Sequence, residues 1–279
     1  MIDTYIINLK EEIQNYHIVK NKLLEKNFEN IYRFDAIYGK KIKDINQYDK
    51  YLTKFFKYFG PLGTIGSALS HYILLENIYN NTVKKNDPSL LEEYVLILED
   101  DVVPNYDYKY FKNIVKNIPQ DSDILILHSF EQFLFYKNKF KQDYILKNKL
   151  FLASPCCSYL IKVSSIPKII NKKLWSYYDA QHFNYNFFNN DTNIYLYKKQ
   201  IFNTNYNISH NLKFNFIYDF FDKIFIYFNI PNIFFWTLFK IFRIPILNYE
   251  LNSIEFNIIC IIIIIFLYKW KKSSFKSIV

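Results

Sequence analysis

Three consecutive carboxylates, Glu99, Asp100 and Asp101, follow a short apolar run at residues 94–98. The run is rich in branched side chains and predicts a fully buried strand. Ligands of open α/β sheets bind outside the carboxyl ends of strands, where these acids stand. Crowded carboxylates repel one another, and a hard divalent cation with oxygen ligands relieves that repulsion. The motif therefore predicts a metal site for a phosphorylated substrate, and a solvated acidic loop or a helix cap is the open alternative.

Strands and helices are predicted to alternate on both sides of this motif. The strands are expected at 5–8, 31–35, 94–98, 123–128, 158–161 and 193–197, and the helices at 12–26, from the glycine-rich segment through 78, at 106–118 and at 164–172. Such alternation is typical of an α/β fold with a mostly parallel sheet that is covered by helices on both faces.

Charge and composition limit the classes of partner. The net charge of +9 suits anionic partners such as nucleotide-sugar phosphates or an acidic membrane face. No nucleic-acid-binding signature accompanies it, so nucleic acid is not an expected partner. The chain begins at once with a strand-like segment instead of a signal peptide, which favours a cytosolic catalytic domain.

All four glycines of the chain, Gly39, Gly60, Gly63 and Gly66, precede residue 67. Glycine permits a positive φ and a close backbone approach. One reading is a loop that admits an anionic ligand beside a helix start. The other reading is turn-making and tight helix packing, and the sequence leaves both open.

The character of the chain changes at about residue 212, which divides it into a domain at 1–211 and a tail at 212–279. The tail is apolar, rich in aromatic residues and predicted to be helical. Its run from Ile258 to Tyr268 is followed by a Trp–Lys border at 269–272, which is typical of a membrane surface. We expect a membrane anchor that either spans the bilayer or lies on it, and a buried core helix or strand is the alternative.

Four ordered segments resemble glycosyltransferase family 25, which includes lipopolysaccharide β-galactosyltransferases and procollagen galactosyltransferases. The segments are Ile6–Leu9, Arg33–Gly39, Gly63–His71 and Leu96–Val102. The resemblance is close over residues 3–130 and weaker to about 210. It implies a GT-A-like fold, a UDP-sugar donor and Mn²⁺ or Mg²⁺.

The resemblance also implies roles for particular residues. The implied donor-binding residues are Asn8, Leu9, Lys10, Asp35, Gly39, Ser70, His71, Glu99 and Asp100. Asp101 would bind the cation, with Glu99 as a second ligand or support. A helix-face histidine bonded to a neighbouring strand is the alternative for His71. His210 is a further candidate metal ligand, since imidazole binds Mn²⁺, and a surface-loop histidine is its alternative.

The implied reaction is an inverting transfer of galactose or glucose to a hydroxyl of a glycan, a lipid-linked glycan or a protein. The candidate bases are Asp179 and then Asp123, and a helix cap or an ion pair is the alternative for Asp179. Family members usually carry arginines after the Asn-Leu pair, whereas this chain has Lys10 followed by two glutamates. That departure leaves a second hypothesis open, a degenerate membrane-bound scaffold on a glycosyltransferase fold.

Overall fold

The acidic motif stands at one edge of a central sheet. The computed structural model describes residues 1–128, 142–146, 157–175, 191–204, 240–244 and 249–252. The sheet strands are β1 Thr4–Asn8, β2 Ile31–Asp35, β3 Tyr94–Glu99, β5 Ile124–Ile126, β6 Tyr144–Leu146, β7 Ser158–Lys162 and β8 Ile194–Tyr197. Two separate pairs are β4 Val102–Pro104 with β9 Phe202–Thr204, and β10 Lys240–Ile244 with β11 Tyr249–Asn252.

The seven strands of this sheet lie in the order β2-β1-β3-β7-β5-β8-β6. Strands β2, β1 and β3 are parallel neighbours, and β5 is parallel to β8. Strand β7 is antiparallel to both β3 and β5, so β5 and β8 run in the same direction as β3. Strand β6 is antiparallel to β8. The predicted α/β class and the mostly parallel sheet are therefore confirmed, and β7 is the departure that periodicity did not indicate.

Helices cover both faces of the sheet. They are α1 Ile13–Glu25, α2 Lys54–Phe59, α3 Leu62–Lys84, α4 Tyr108–Lys116 and α5 Ile166–Ile170. The buried side chains of α1 and α4 join one apolar cluster, and those of α2, α3 and α5 join the other. The helices predicted before and after the acidic motif are present, each within a few residues of the expected bounds.

Strand β3 shows why the apolar run has no polar alternation. Val95 and Ile97 belong to the cluster under α3, whereas Leu96 and Leu98 belong to the cluster under α1 and α4. A strand that is buried on both faces needs apolar side chains at every position. The acidic motif begins where this burial ends, because Glu99 is the last residue of the strand.

Residues 240–244 of the tail do not follow the prediction of helices, which covered residues 214–247. Within the described part of the tail, residues 240–244 and 249–252 form the antiparallel β10–β11 pair, and β10 lies beside α2. Aromatic and β-branched residues favour strands as well as helices, so an apolar stretch of this kind does not identify its own secondary structure. The Ile258–Tyr268 run lies outside the described residues, and no helix among the described residues is long and apolar enough to cross a membrane.

Candidate active site

Three parallel strands end level with one another and present polar side chains at the same edge. Asn8 at the end of β1 is in register with Asp35 at the end of β2. On the other side of β1, Ile7 is in register with Glu99 at the end of β3. Asp100 and Asp101 follow Glu99 directly, so the acidic motif and the two other strand ends share one edge of the sheet.

The side chain of Asn8 connects this edge. It is buried, and its Nδ2 donates to Oδ2 of Asp100 at 2.6 Å and to the carbonyl oxygen of Glu12 at 2.8 Å. Its Oδ1 accepts from Nε of Arg33 at 2.8 Å. Arg33 in turn contacts Asp35, with 2.8 Å between Nη1 and Oδ1. Because both Asn8 donors are used, the Asn8 side chain organises the acidic motif instead of standing open to a nucleotide.

Asp100 is the acid that this arrangement turns inward. Burial raises the pKa of its carboxyl to about 6, the negative charge of Glu99 adds to that rise, and the hydrogen bond from Asn8 opposes it. A raised pKa means that the ionised carboxylate lacks full compensation in this surrounding. Glu99 and Asp100 nevertheless repel each other at this edge, and a nearby cation would reduce that repulsion.

Glu99 is held from the other side by His71 of α3. Nε2 of His71 lies 3.3 Å from Oε1 of Glu99, and Nδ1 lies 3.0 Å from the hydroxyl oxygen of Tyr159 on β7. A carboxylate only accepts, so Nε2 carries the proton, and in the neutral ring Nδ1 accepts from the tyrosine hydroxyl. His71 is almost fully buried. It therefore acts on the site through Glu99, which agrees with the alternative of a helix-face histidine bonded to a neighbouring strand.

Ser70 and two of the glycines fix the loop after β2 against α3. The Ser70 hydroxyl accepts from the backbone N–H of Ile37 at 2.8 Å and donates to the carbonyl oxygen of Gly66 at 2.7 Å. A Cβ atom on Gly66 would lie 2.5 Å from the backbone nitrogen of Gly39, and one on Gly39 would overlap the carbonyl of Leu62. No described glycine has a positive φ. For Gly39 and Gly66 the packing reading is thus correct, and the glycines serve close approach.

The rim of the edge is formed by the turn after β1. Leu9 is half-buried, Lys10 is exposed, and Glu11 forms an ion pair with Lys41 of the loop after β2. Lys10 is thus available to an anion, although a lysine offers a point charge and lacks the bidentate fork of an arginine.

Asp123, a candidate base, lies elsewhere. It precedes β5, which runs parallel to β3, so it stands at the opposite edge of the sheet from the acidic motif. Both Asp123 oxygens lie 2.8 Å from Nζ of Lys168, Ser165 donates to Oδ1, and the backbone N–H of Asn193 donates to Oδ2 at 2.7 Å. The structure thus places Asp123 in an ion pair at the edge opposite the acidic motif, which is a correction to its prediction as a base.

Comparisons with known proteins identify the family of the chain. The family model described as Glycosyltransferase family 25 (LPS biosynthesis protein) matches residues 1–211. The chain belongs to glycosyltransferase family 25. Among solved structures, mouse xyloside xylosyltransferase 1 in its apo form is similar at 9% identity with a TM-score of 0.32, over 60% of this chain and 68% of that one. A search of curated proteins returned no match.

The question for this family 25 glycosyltransferase is whether its residues could hold a divalent metal ion. Among the described residues no three His, Cys, Asp or Glu side chains form a group that could hold a metal ion. The chemistry of the edge still suits a hard cation, because Glu99 and Asp101 supply carboxylate oxygens and such ions often take the remaining ligands from substrate phosphates and water. His210 and Asp179 lie outside the described residues.

Three residues of this family 25 site were not among the predicted site residues. Arg33 and Tyr159 orient Asn8 and His71, as described above. His128 follows β5 at the same edge as Glu99, is buried, and donates from Nδ1 to the carbonyl oxygen of Phe202 at 2.8 Å. Burial lowers the pKa of His128, while the charge of Glu99 acts in the opposite direction. Its place after a buried strand was the available signal, the same one that identified Glu99.

Proposed function

We propose that this family 25 glycosyltransferase moves galactose or glucose from a UDP-sugar to a hydroxyl of a glycan, a lipid-linked glycan or a protein. We propose further that the transfer inverts the anomeric centre and depends on Mn²⁺ or Mg²⁺. The observation that carries the proposal is the level ending of β1, β2 and β3, which gathers Asn8, Asp35 and Glu99 beside two further carboxylates.

In this proposal the donor lies along the edge formed by those three strand ends. Leu9, Lys10 and Gly39 belong to the turns that border it, and the exposed carboxylate of Asp35 is suited to accept hydrogen bonds from ribose hydroxyls. Lys10 adds a positive charge for the diphosphate. Asn8 and His71 orient Asp100 and Glu99, and Ser70 holds the bordering loop in place.

Asp101 and Glu99 are the proposed metal ligands, with His210 as a third candidate. A bound divalent cation would stabilise the negative charge that grows on the departing nucleoside diphosphate. The protein's own contribution is to hold the two carboxylates in place before the donor arrives, through His71 for Glu99 and through the fixed backbone after β3 for Asp101. Such preorganisation is what makes electrostatic stabilisation effective.

The acceptor hydroxyl must attack the anomeric carbon from the side opposite the diphosphate, which is how the transfer inverts that centre. A base on the acceptor side takes the hydroxyl proton as the new bond forms. Asp179 remains the proposed base. Asp123 no longer competes for that role, because its ion pair with Lys168 holds it at the opposite edge.

A degenerate scaffold on the same fold is the second candidate. The observation that favours it is the turn after β1, where the glutamate at position 11 pairs with Lys41 and only Lys10 offers a positive charge to a diphosphate. A scaffold would keep the fold and lose donor turnover, which separates the two candidates.

We also propose that the tail associates with a membrane and that the catalytic domain stands on the cytosolic side. The support for membrane association is the apolar run from Ile258 to Tyr268 with its Trp–Lys border. Nucleic acid is not a proposed partner.

The test is release of nucleoside diphosphate from a panel of UDP- and GDP-sugars by the full chain, with Mn²⁺ or with EDTA. Slow hydrolysis of the donor does not need the true acceptor. We expect one UDP-hexose to turn over only with metal, and Asp101→Ala to abolish that turnover. Folded protein with no turnover of any donor and no thermal shift on adding donor would favour the scaffold.

A further inference from the structure

Helix α4 carries a row of positive charges that the glycosyltransferase site does not use. Lys109, Lys112 and Lys116 are spaced three and four residues apart, which places them on one side of the helix. All three are exposed, and Phe111 and Ile114 are buried on the opposite side. Exposed lysines on the face of an amphipathic helix are available to an anionic partner.

No acid within the described residues neutralises this row. Lys109, Lys112 and Lys116 form no ion pair there. The nearest acid on the helix is Asp107, whose carboxylate accepts the backbone N–H of Tyr110 at 2.8 Å as the helix cap. The row is therefore an unbalanced patch in a chain whose excess charge is already positive.

Two tyrosines and a further lysine extend the patch. The rings of Tyr106 and Tyr110 stack with 4.4 Å between their centroids. Nζ of Lys199, at the end of β8, lies 3.1 Å from the Tyr110 hydroxyl and 5.5 Å from the centroid of its ring. The hydrogen bond to Tyr110 raises the pKa of Lys199, and the charges of Tyr110, Tyr106 and Asp143 act in the same direction. Tyrosine beside lysine is the composition found at bilayer interfaces.

A shallow groove of about 580 Å³ follows the same helix face. Its walls include Asp107, Lys109, Tyr110, Lys112, Asn113 and Lys116.

We propose that this face, defined by Lys109, Lys112, Lys116, Lys199, Tyr106 and Tyr110, docks the enzyme on the anionic headgroups of a phospholipid bilayer. Charge complementarity supports an anionic surface, and the apolar run from Ile258 to Tyr268 with its Trp–Lys border supports a bilayer as that surface. The inference rests on the proposed membrane association and adds the face that turns toward the lipid. Two weak signals, an apolar segment and a basic patch, together give firmer anchoring than either alone.

The control surface lies on the other side of the sheet. Lys54 on α2 and Lys84 and Lys85 at the end of α3 are also exposed, and they form no ion pair within the described residues. Their helices pack on the opposite face from α4. A triple Lys→Gln change at either surface removes the same three charges and keeps residues of similar helix propensity.

The experiment is sedimentation of the full chain with vesicles of neutral phosphatidylcholine alone or with about a third phosphatidylserine, a composition whose surface attracts basic segments. Binding to neutral vesicles measures the tail, and the increment with phosphatidylserine measures the charged surface. One lysine near such a surface strengthens binding about fivefold. We expect the increase in binding that phosphatidylserine causes to fall at least about tenfold in Lys109→Gln/Lys112→Gln/Lys116→Gln. The same increase should persist in Lys54→Gln/Lys84→Gln/Lys85→Gln.

Salt dependence and donor turnover serve as two further controls. Raising the salt to about 1 M should remove the increment, because screening then acts within about 3 Å, and leave neutral-vesicle binding unchanged. Donor turnover without vesicles should be equal in all three proteins, which shows that each is folded.

If both triple variants lose this increase in binding equally, or if neither loses it, the assignment of the face is overturned. Membrane association by the tail would not be affected by that result. Binding to no vesicle at all would overturn both. A variant that keeps its vesicle increment and loses affinity for duplex DNA would assign the face to nucleic acid and overturn the lipid proposal.

Discussion

The Nδ2 atom of Asn8 lies 2.6 Å from Oδ2 of Asp100, so the end of β1 fixes the middle carboxylate of the acidic motif. The two residues are 92 positions apart in the chain. Strand pairing brings them together, because β1 and β3 are parallel neighbours that end at the same edge. The acidic motif is therefore a part of the sheet edge and not a free loop.

An exchange of the two groups tests this contact. Asn8→Asp places a carboxylate against that of Asp100, and we expect a loss of about 3 kcal/mol in the free energy of unfolding. Adding Asp100→Asn to that variant returns an N–H donor to the pair. We expect the double variant to be at least about 1 kcal/mol more stable than the sum of the two single effects predicts. Urea unfolding of the two single variants and the double variant measures this. Additive effects within about 0.5 kcal/mol would show that the two side chains do not interact.

The raised pKa of Asp100 predicts how stability depends on pH. The folded protein holds this proton up to a pKa of about 6, whereas the ordinary value is 3.8. The folded state thus binds more protons between these values, so the free energy of unfolding falls as pH rises from about 4 to about 6. The full shift corresponds to about 3 kcal/mol.

Asp100→Asn removes that titration and keeps an acceptor for Asn8. Relative to wild type, the variant should gain stability as pH rises through this window, by up to about 3 kcal/mol, and the gain should level off above about pH 6.5. Urea unfolding at closely spaced pH values provides the comparison. Parallel stability profiles for the two proteins would contradict the account.

Tyr159 is predicted to act on turnover through His71 and Glu99. Tyr159→Phe removes the hydroxyl that lies 3.0 Å from Nδ1 of His71 and keeps the ring. The imidazole is then less firmly oriented toward Glu99. We expect donor turnover to fall about tenfold, as for other residues that orient a ligand, with a stability loss of about 1 kcal/mol.

Tyr72→Phe is the matched control for Tyr159→Phe. Tyr72 is equally buried, and its hydroxyl donates to the carbonyl oxygens of Ile169 and Lys172 at 3.0 and 2.8 Å. It should lose similar stability and keep its turnover. Equal effects of the two variants on kcat would reduce Tyr159 to a packing role.

Two glycines of α3 should respond to alanine in opposite directions. A Cβ on Gly66 would lie 2.5 Å from both the backbone nitrogen of Gly39 and the carbonyl oxygen of Ile37, whereas one on Gly63 meets nothing within 4 Å. Gly66→Ala should cost about 2–3 kcal/mol through displaced backbone, and Gly63→Ala should add up to about 1 kcal/mol. Thermal unfolding measures both. Two variants of equal stability would mean that the loop after β2 does not pack as described.

The acidic edge was predictable because its signals are local. A continuous apolar run that ends in acids identifies a buried strand and its carboxyl end, and parallel strands bring such ends together. Glu99 and the two aspartates after it were found in this way, whereas Asn8 and Asp35 were named only through the family resemblance. Asp123 lies at the amino end of its strand, whereas Glu99 lies at the carboxyl end of a strand that runs in the same direction. Its position at the opposite edge of the sheet could therefore have been anticipated.

Other parts of the site depend on pairings that no local period encodes. Strand β7 enters antiparallel between β3 and β5, and only this insertion brings Tyr159 to His71. The ion pair of Asp123 requires Lys168 from α5, 45 residues away. In the tail, the residues of β10 and β11 mix apolar with charged and polar side chains, and such composition suits either helix or strand.

The central claim is that the carboxyl edge of β1, β2 and β3 binds the donor through a cation. Its most direct test is calorimetric titration of UDP into the full chain, with Mn²⁺ or with EDTA, for wild type, Asp101→Asn and Asp121→Asn. Asp121 is an exposed acid before β5, at the opposite edge of the sheet, and serves as the control. We predict metal-dependent binding in wild type and in Asp121→Asn, at least about tenfold weaker in Asp101→Asn. UDP binding that ignores EDTA, or that is equal in all three folded proteins, would contradict the account.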